Sequence, residues 1–329
     1  MRGKIIRGVS GFFDVVTEEG EVYRCRAKGT FRREGVKPLP GDDVSFDITH
    51  EGDKEGNVTE VFPRKNALLR PPVANVDQVL FVFAAAHPDP SHYLLNRFLV
   101  MTAQLALPVI LCFNKRDLTT EEEAQAIREI YAGCGCPLLV VSVKEQENLS
   151  ALIPLLAGKT TAVAGPSGVG KSSLINALLQ EEKMETGEIS RKTARGKNTT
   201  RHSELFLLPD ALFADADPDL LSEDREPVAQ AHSHTHPPSY VFDTPGFMSL
   251  KPEGITPKNL HEYIPEFTAL DAGCRYAGCT HISEPDCAVK DALEAGGIHR
   301  VRYDAYKLYY DELSGERPVY VKKAKKEPG

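Results

Sequence analysis

Residues Gly165-Pro166-Ser167-Gly168-Val169-Gly170-Lys171-Ser172 carry the spacing G-x-x-x-x-G-K-[ST], and the chain on either side supplies the context this spacing needs. The apolar run Thr161-Ala162-Val163-Ala164 before it reads as a buried strand, and Ser173 to Leu179 after it as a helix. Glycines let such a loop turn back so that consecutive backbone N–H groups face a bound polyphosphate, and the helix N-terminus adds its partial positive charge at the same spot. Lys171 then reaches the β and γ phosphates and Ser172 holds Mg2+, with Gly165, Ser167, Gly168, Val169, Gly170 and Ser173 lining the cradle. A Gly/Ser-rich turn with no ligand is the alternative; the complete pattern with its flanking strand and helix argues against it.

Upstream of this loop, buried strands and helices alternate. Val76–Ala86, Pro108–Phe113 and Pro137–Val143 read as strands, and Tyr93–Gln104, Thr120–Ala132 and Leu149–Leu156 as helices, the pattern of a doubly wound α/β sheet. The second strand runs into Asn114-Lys115-Arg116-Asp117, just past its carboxyl end, where such sheets bind ligands. An N-K-x-D sequence there suits guanine: a carboxylate accepts two hydrogen bonds at once from N1–H and the 2-amino group, a donor pair adenine lacks. Asp117 takes that role, Asn114 either bonds the base or braces the loop, and the Lys115 stem covers a face of the base. The third strand ends at Ser142-Val143-Lys144, a second loop placed to approach the base.

Downstream come Asn198-Thr199-Thr200-Arg201-His202, a strand Leu205–Leu208, and a strand Ser239–Phe242 that ends in Asp243-Thr244-Pro245-Gly246. Asp243 at a strand end is placed to hold Mg2+, the Gly246 N–H to meet the γ-phosphate, and Thr199 or Thr200 to cap the metal from a mobile segment. The stretch Pro209–Pro238, rich in Asp, Glu and His, is longer than a hairpin needs and reads as a surface insertion.

Residues 1–62 hold five short β-like runs broken by Gly and Pro, which suggests a small closed barrel of the oligonucleotide-binding type. Tyr23, Arg24, Arg26 and Phe31 to Arg33 offer the aromatics and cations such a barrel uses on nucleic acid, although strand aromatics also fill cores. The chain carries 39 Lys and Arg against 47 Asp and Glu, a formal net charge of −8, which argues weakly against a nucleic-acid partner. Locally the balance reverses: residues 1–37 have nine basic side chains against five acidic, and residues 183–202 six against two. Both segments read either as RNA-facing surface or as ordinary solvated charge. No apolar run approaches the roughly 20 residues that span a bilayer, and the N-terminus lacks a signal-peptide core, so a reducing cytoplasmic setting is expected.

Near the C-terminus, Cys274, Cys279, His281 and Cys287 fall within 14 residues with the spacing C-x4-C-x-H-x5-C. Three thiolates and one imidazole make a closed, tetrahedral, structural zinc set with no open position for catalysis. Cys25, Cys112, Cys134 and Cys136 read as packing residues. Tyr303, Tyr306 and Tyr310 form a stripe at helical spacing that reads mainly as core, and the tail Lys322-Lys323-Ala324-Lys325-Lys326 either touches RNA phosphates or is disordered.

The order of these motifs is informative. The guanine elements (114–117, 142–144) precede the phosphate elements (165–172, 199–200, 243–246), the reverse of an ordinary small GTPase, so the domain is circularly permuted. With barrel, permuted order and zinc segment together, the chain resembles the RsgA (YjeQ/YloQ) family of ribosome-dependent GTPases over essentially its whole length. That resemblance implies three domains: an OB-fold barrel (1–68), a circularly permuted α/β P-loop GTPase domain (69–250) and a mostly helical zinc-binding domain (251–329). It implies GTP and GDP as ligands, Mg2+ and one structural Zn2+ as cofactors. As partners it implies the 30S subunit and 16S rRNA, met in the cytoplasm by a monomer. The implied role is late 30S maturation. Catalytic participation is expected of Lys171, Thr199 and Thr200. Two departures stand out. Phe247 occupies the position of the water-orienting Gln of Ras-like enzymes, and an apolar ring cannot orient water, so hydrolysis by the isolated chain should be slow. Asn198 stands where the family often has His before the Thr pair; it can hydrogen-bond water but not act as a base, and His202 is either its substitute or a structural residue.

Overall fold

The computed structural model describes residues 1–29, 31, 35–69, 71–181, 203–214, 237–243 and 254–315. Asn198, Thr199, Thr200, His202, Gly246, Phe247, the basic segment 183–202, most of the 209–238 insertion and the lysine-rich tail lie outside the described residues. The chain divides into two compact units: residues 1–90, 107–124 and 136–250 in one, residues 91–106, 125–135 and 251–329 in the other. Among the described residues no helix is long and apolar enough to cross a membrane.

The first unit begins with a closed five-stranded barrel: β1 (Arg2–Val9), β2 (Phe12–Val16), β3 (Val22–Ala27), β4 (Asp43–His50) and β5 (Glu55–Val61), in the order β1-β2-β3-β5-β4. Only the β3–β5 pair is parallel; β4 closes on β1 antiparallel. Alternation along the strands sends Ile5, Phe13, Val15, Tyr23, Cys25, Val44, Phe46 and Val58 inward. Tyr23 and Phe31, offered above as nucleic-acid contacts, are 2% and 6% exposed and belong to this core, because a barrel this small needs large rings to fill it. Arg32 and Arg33 lie outside the described residues; among the described cations, Arg24 and Arg26 face outward, their guanidinium carbons 4.9 and 4.8 Å from the centroid of the Phe12 ring.

After the barrel, adjacent prolines that could have marked a linker instead enter a hairpin: β6 (Ala67–Leu69) pairs antiparallel with β7 (Pro72–Ala74). Pro72 tolerates this because it is the first residue of its strand. The hairpin anchors the barrel turn 39–42. Gly41, at φ +94°, lies so close to Ala74 that a Cβ would stand 2.1 Å from the Ala74 carbonyl oxygen and 3.0 Å from Cζ of Phe242. Asp42, fully buried, accepts from Arg64 Nε (2.6 Å), Arg64 Nη2 (2.8 Å) and the Leu39 N–H (2.7 Å). The Asn75 amide donates to the Gly41 carbonyl at 3.0 Å.

Beyond the hairpin is a six-stranded sheet of β8 (Gln78–Ala84), β9 (Val109–Asn114), β10 (Leu138–Val140), β11 (Thr160–Ala164), β12 (Glu204–Leu207) and β13 (Tyr240–Asp243). Its order is β10-β9-β8-β11-β13-β12, with only β12 antiparallel. β8 and β11 are buried along their whole length, as continuous apolar runs in a parallel sheet should be. The carboxyl ends of β9, β10, β11 and β13 therefore point the same way, and each leads into a segment singled out from the sequence.

In the second unit, helices α1 (His92–Gln104), α2 (Glu121–Tyr131, which enters this unit at Gln125), α3 (Ala288–Glu294) and α4 (Arg300–Leu313) accompany short turns around Leu260, Ile264, Phe267, Val289, Tyr303, Tyr306 and Tyr309. Of the tyrosine stripe, Tyr303 and Tyr306 are core, while Tyr310 is partly buried and packs against that core, with Tyr309 buried beside it. Buried Arg302 ties the unit together: it donates to Glu266 through Nε (2.7 Å) and Nη2 (2.9 Å) and to Asn96 Oδ1, with its guanidinium 5.6 Å from the Tyr131 ring centroid.

Removing the cation from the barrel junction strands a buried carboxylate, which typically costs several kcal/mol. Arg64→Met is expected to lower the unfolding free energy by about 3 kcal/mol, read as a fall in the urea midpoint.

Candidate functional site

β11 delivers the chain to the loop 165–170, and helix α5 (Lys171–Leu179) leaves it. Two glycines are there for space. A Cβ on Gly165 (φ +149°) would lie 2.0 Å from the Val82 carbonyl oxygen, and one on Gly170 (φ +93°) 2.3 Å from Asn114 Nδ2. The Val169 side chain is buried in the sheet core, so this residue serves the loop through its backbone. No side chain caps the N-terminus of α5 and no acidic residue stands in its first turn, which leaves the N–H groups of Lys171, Ser172 and Ser173 directed at the loop. Lys171 folds back so that Nζ donates to the Pro166 carbonyl at 2.6 Å. Burial lowers its pKa, opposed by Asp243; burial raises that of Asp243, opposed by Lys171. Asp243, beside Val163 in the sheet register, is thus the counter-charge across the loop. An anion and a cation bound between them would relieve both.

The base-reading corner is built at the ends of β9 and β10. Asn114 is buried, and its amide is engaged at both ends: Nδ2 donates to the Val169 carbonyl at 2.9 Å and Oδ1 accepts from the Val143 N–H at 3.1 Å. Of the two roles open to it from sequence, these contacts are those of a brace. Lys115 adopts a left-handed backbone, φ +67°, and its Nζ donates to the His87 carbonyl. Asp117 Oδ1 accepts from the buried Ser142 hydroxyl at 2.7 Å, and Ser142 Oγ accepts from the Glu145 N–H at 3.1 Å. Lys144 is exposed, with Nζ 3.9 Å from Asp117 Oδ2 and 2.8 Å from Glu145 Oε1. Asn114, Asp117, Ser142 and the Gly165–Ser173 loop are therefore brought together, with Asp243 on the far side of the loop; Thr199, Thr200, Asn198, His202 and Gly246 are outside the described residues.

In the second unit, Cys274, Cys279, His281 and Cys287 present their ligand atoms within 4.8 Å of one another. The measured edges are 3.9 Å (Cys274 Sγ to Cys287 Sγ), 3.8 Å (Cys279 Sγ to Cys287 Sγ), 3.6 Å (Cys274 Sγ to His281 Nδ1) and 3.3 Å (Cys287 Sγ to His281 Nδ1). A tetrahedron with zinc–sulfur bonds of about 2.3 Å and a zinc–nitrogen bond of about 2.0 Å has edges of about 3.8 and 3.5 Å, so the donor set fits zinc. Burial pushes the Cys279 thiol up to about 12; a bound cation reverses this by stabilising the thiolate. Burial, helped by the neighbouring His261, lowers His281 and favours the neutral imidazole that ligation requires.

Sequence reasoning gave no role to Glu284, whose carboxylate shapes the ligand loop. It accepts from Thr280 N–H (2.8 Å), Thr280 Oγ1 (2.7 Å), Ile282 N–H (3.1 Å) and Ser283 N–H (3.1 Å), holding the turn that carries His281. Burial pushes its pKa up, but these donors win and hold it at about 2. Its place between Cys279 and Cys287 was the available signal.

Asn114→Ala leaves the buried Val169 carbonyl and the part-buried Val143 N–H without these partners. It is expected to cost about 2–3 kcal/mol of stability in nucleotide-free protein, measured by urea denaturation. Glu284 is lowered on folding from 4.5 to about 2, so its stabilisation is complete above pH 4.5 and lost as pH falls towards 2. The stability difference between the parent chain and Glu284→Gln should shrink across that window, as followed by denaturation at stepped pH.

Comparison with known proteins agrees with this geometry. The model described as RsgA GTPase matches residues 61–218, and that described as RsgA N-terminal domain matches residues 2–58. A model described as ABC transporter matches residues 153–317, a span that includes the phosphate loop. The chain is 43% identical over 327 residues to a small ribosomal subunit biogenesis GTPase RsgA of Agathobacter rectalis, covering 96% of this chain and 99% of the relative. It is 40% identical over 322 residues to the protein of the same description from Geobacillus thermodenitrificans, covering 97% and 99%. Among solved structures it resembles YjeQ from Thermotoga maritima, with TM-score 0.71, 32% identity and coverage of 96% and 99%. It also resembles YloQ, described as a circularly permuted GTPase, with TM-score 0.69, 33% identity and coverage of 97% and 96%. Matched from end to end by these relatives, and with its base-reading and phosphate loops joined in the permuted order, the chain belongs to the RsgA GTPase family.

Proposed function

We propose that this protein hydrolyses GTP to GDP and phosphate as a switch in the late maturation of the 30S subunit. In this reading the barrel (1–68) and the zinc-binding domain (251–329) grip 16S rRNA around the nucleotide domain (69–250). The observation that carries the reading is the 2.9 Å hydrogen bond from Asn114 to the Val169 carbonyl, which sets the base corner against the phosphate loop so that one nucleotide reaches both.

The residues divide the work by charge. Asp117 accepts from N1–H and the 2-amino group of guanine, held in place by Ser142, while the Lys115 stem and the 142–144 loop border the base. The backbone N–H groups of residues 165–173 surround the phosphates, and Lys171 exchanges the Pro166 carbonyl for phosphate oxygens. Ser172, Asp243 and Thr200 would hold Mg2+, which would supply neutralisation of the charge that develops on the phosphoryl oxygens. Thr199, with Asn198 or His202, positions water from the basic segment. With Phe247 in place of a water-orienting Gln, the chain waits for its ribosomal partner to complete the site. One Zn2+ on Cys274, Cys279, His281 and Cys287 holds the C-terminal module in shape. We place the protein in the cytoplasm as a monomer, where its ribosomal partner is assembled.

Two measurements test this. Asp117→Asn is expected to weaken GTP binding about 100-fold and to favour a xanthine nucleotide; unchanged GTP affinity refutes the role of Asp117. Single-turnover hydrolysis should rise at least about 10-fold when small subunits are added. No stimulation would recast the protein as an RNA-binding adaptor with a structural nucleotide.

A further inference from the structure

Two buried imidazoles in the C-terminal unit have a ring nitrogen with no hydrogen-bond partner: Nε2 of His281 and Nδ1 of His261. The carboxylate of Asp271 reaches towards both rings, Oδ1 lying 3.6 Å from His281 Nε2 and Oδ2 3.9 Å from His261 Nε2. The two rings stand edge to face with centroids 5.1 Å apart, and Phe267 packs on His281 at 5.6 Å, so neither imidazole can swing away to find water. Asp271 opens the short turn Asp271–Gly273 that leads directly into Cys274, and its carbonyl accepts from the Cys274 N–H at 3.0 Å.

Ligation through Nδ1 forces the proton of neutral His281 onto Nε2, which is the orphaned, buried atom. An unmade hydrogen bond there leaves the full desolvation penalty of the N–H in place, and a ligating histidine ordinarily donates its second N–H to a carboxylate or carbonyl. Asp271 Oδ1 stands less than about 1 Å outside the range of an N–H···O bond. We propose that Asp271 is the positioning residue of the metal centre: it bridges the Nε2–H groups of His281 and His261 and so holds His281 in the tautomer that aims the Nδ1 lone pair at the metal. This rests on the zinc reading above. The turn that carries the carboxylate also carries the ligand Cys274, so metal uptake and closure of the bridge draw on the same few residues.

The full chain, reduced, zinc-loaded and labelled with 15N-histidine, provides the test. His281 should appear as the Nε2–H tautomer with a slowly exchanging ring proton, and zinc should bind one per chain. Asp271→Ala should lose that proton signal and weaken zinc binding about 10- to 100-fold in chelator competition. Asp271→Asn, whose amide oxygen still accepts one N–H, should fall between. Unchanged zinc affinity with the proton signal retained overturns the inference and leaves the zinc reading intact. A second zinc per chain that His261→Phe removes also overturns it, because the cluster is then a metal site in its own right. A chain that takes up no zinc overturns both readings. Should Asp271→Ala fail to fold, the parent spectrum decides: His281 protonated at Nδ1 sinks the proposal.

Discussion

One side-chain amide holds the nucleotide site together. Asn114 ends β9, the Val169 carbonyl it bonds lies 55 residues later, and its oxygen takes the N–H of Val143 from a third loop. The bond to Val169 is buried and the one to Val143 partly so; breaking the first strands a polar atom away from water, and that penalty, more than the bonds themselves, fixes the loops. The spacing between base corner and phosphate cradle is therefore set before any ligand arrives. Preorganisation of this kind lets binding energy go into recognition rather than loop ordering. It also accounts for Gly170, since any side chain there would occupy the space of the Asn114 amide.

The sheet explains how a reordered chain still makes this site. Pairing depends on which strands lie side by side and not on which comes first, and the four strands that feed the site, β9, β10, β11 and β13, run parallel in one sheet. β8, central and buried on both faces, separates β9 with its base loop from β11 with its phosphate loop. Starting the domain at β8 leaves the meeting of the two loops untouched.

Much of this was legible in the sequence because its signals are dense and local. The phosphate loop, the N-K-x-D run and the Cys–His spacing each compress several constrained residues into a few positions, and the barrel's alternation is a period-two pattern. What escaped is long-range or solitary. Nothing in the spacing of Asn114 tells a brace from a base contact, because the deciding partner is Val169. Glu284 and Asp271 are single carboxylates in a chain with 47 acidic side chains, and only their distances to the ligand loop distinguish them. Tyr23 and Phe31 looked available for stacking until the small barrel proved to need them inside. The alternation of strands and helices likewise could not show that residues 91–106 and 125–135 pack with the C-terminal unit, a grouping made by Asn96, Tyr131 and Arg302.

The barrel turn at Gly41 carries a consequence for how such a protein can be taken apart. Its backbone rests on Ala74 and against the ring of Phe242, a fully buried residue one position before Asp243. A nucleotide domain cut free of the barrel would expose an aromatic edge next to Asp243. Modular in sequence, the two are a single casting at that seam.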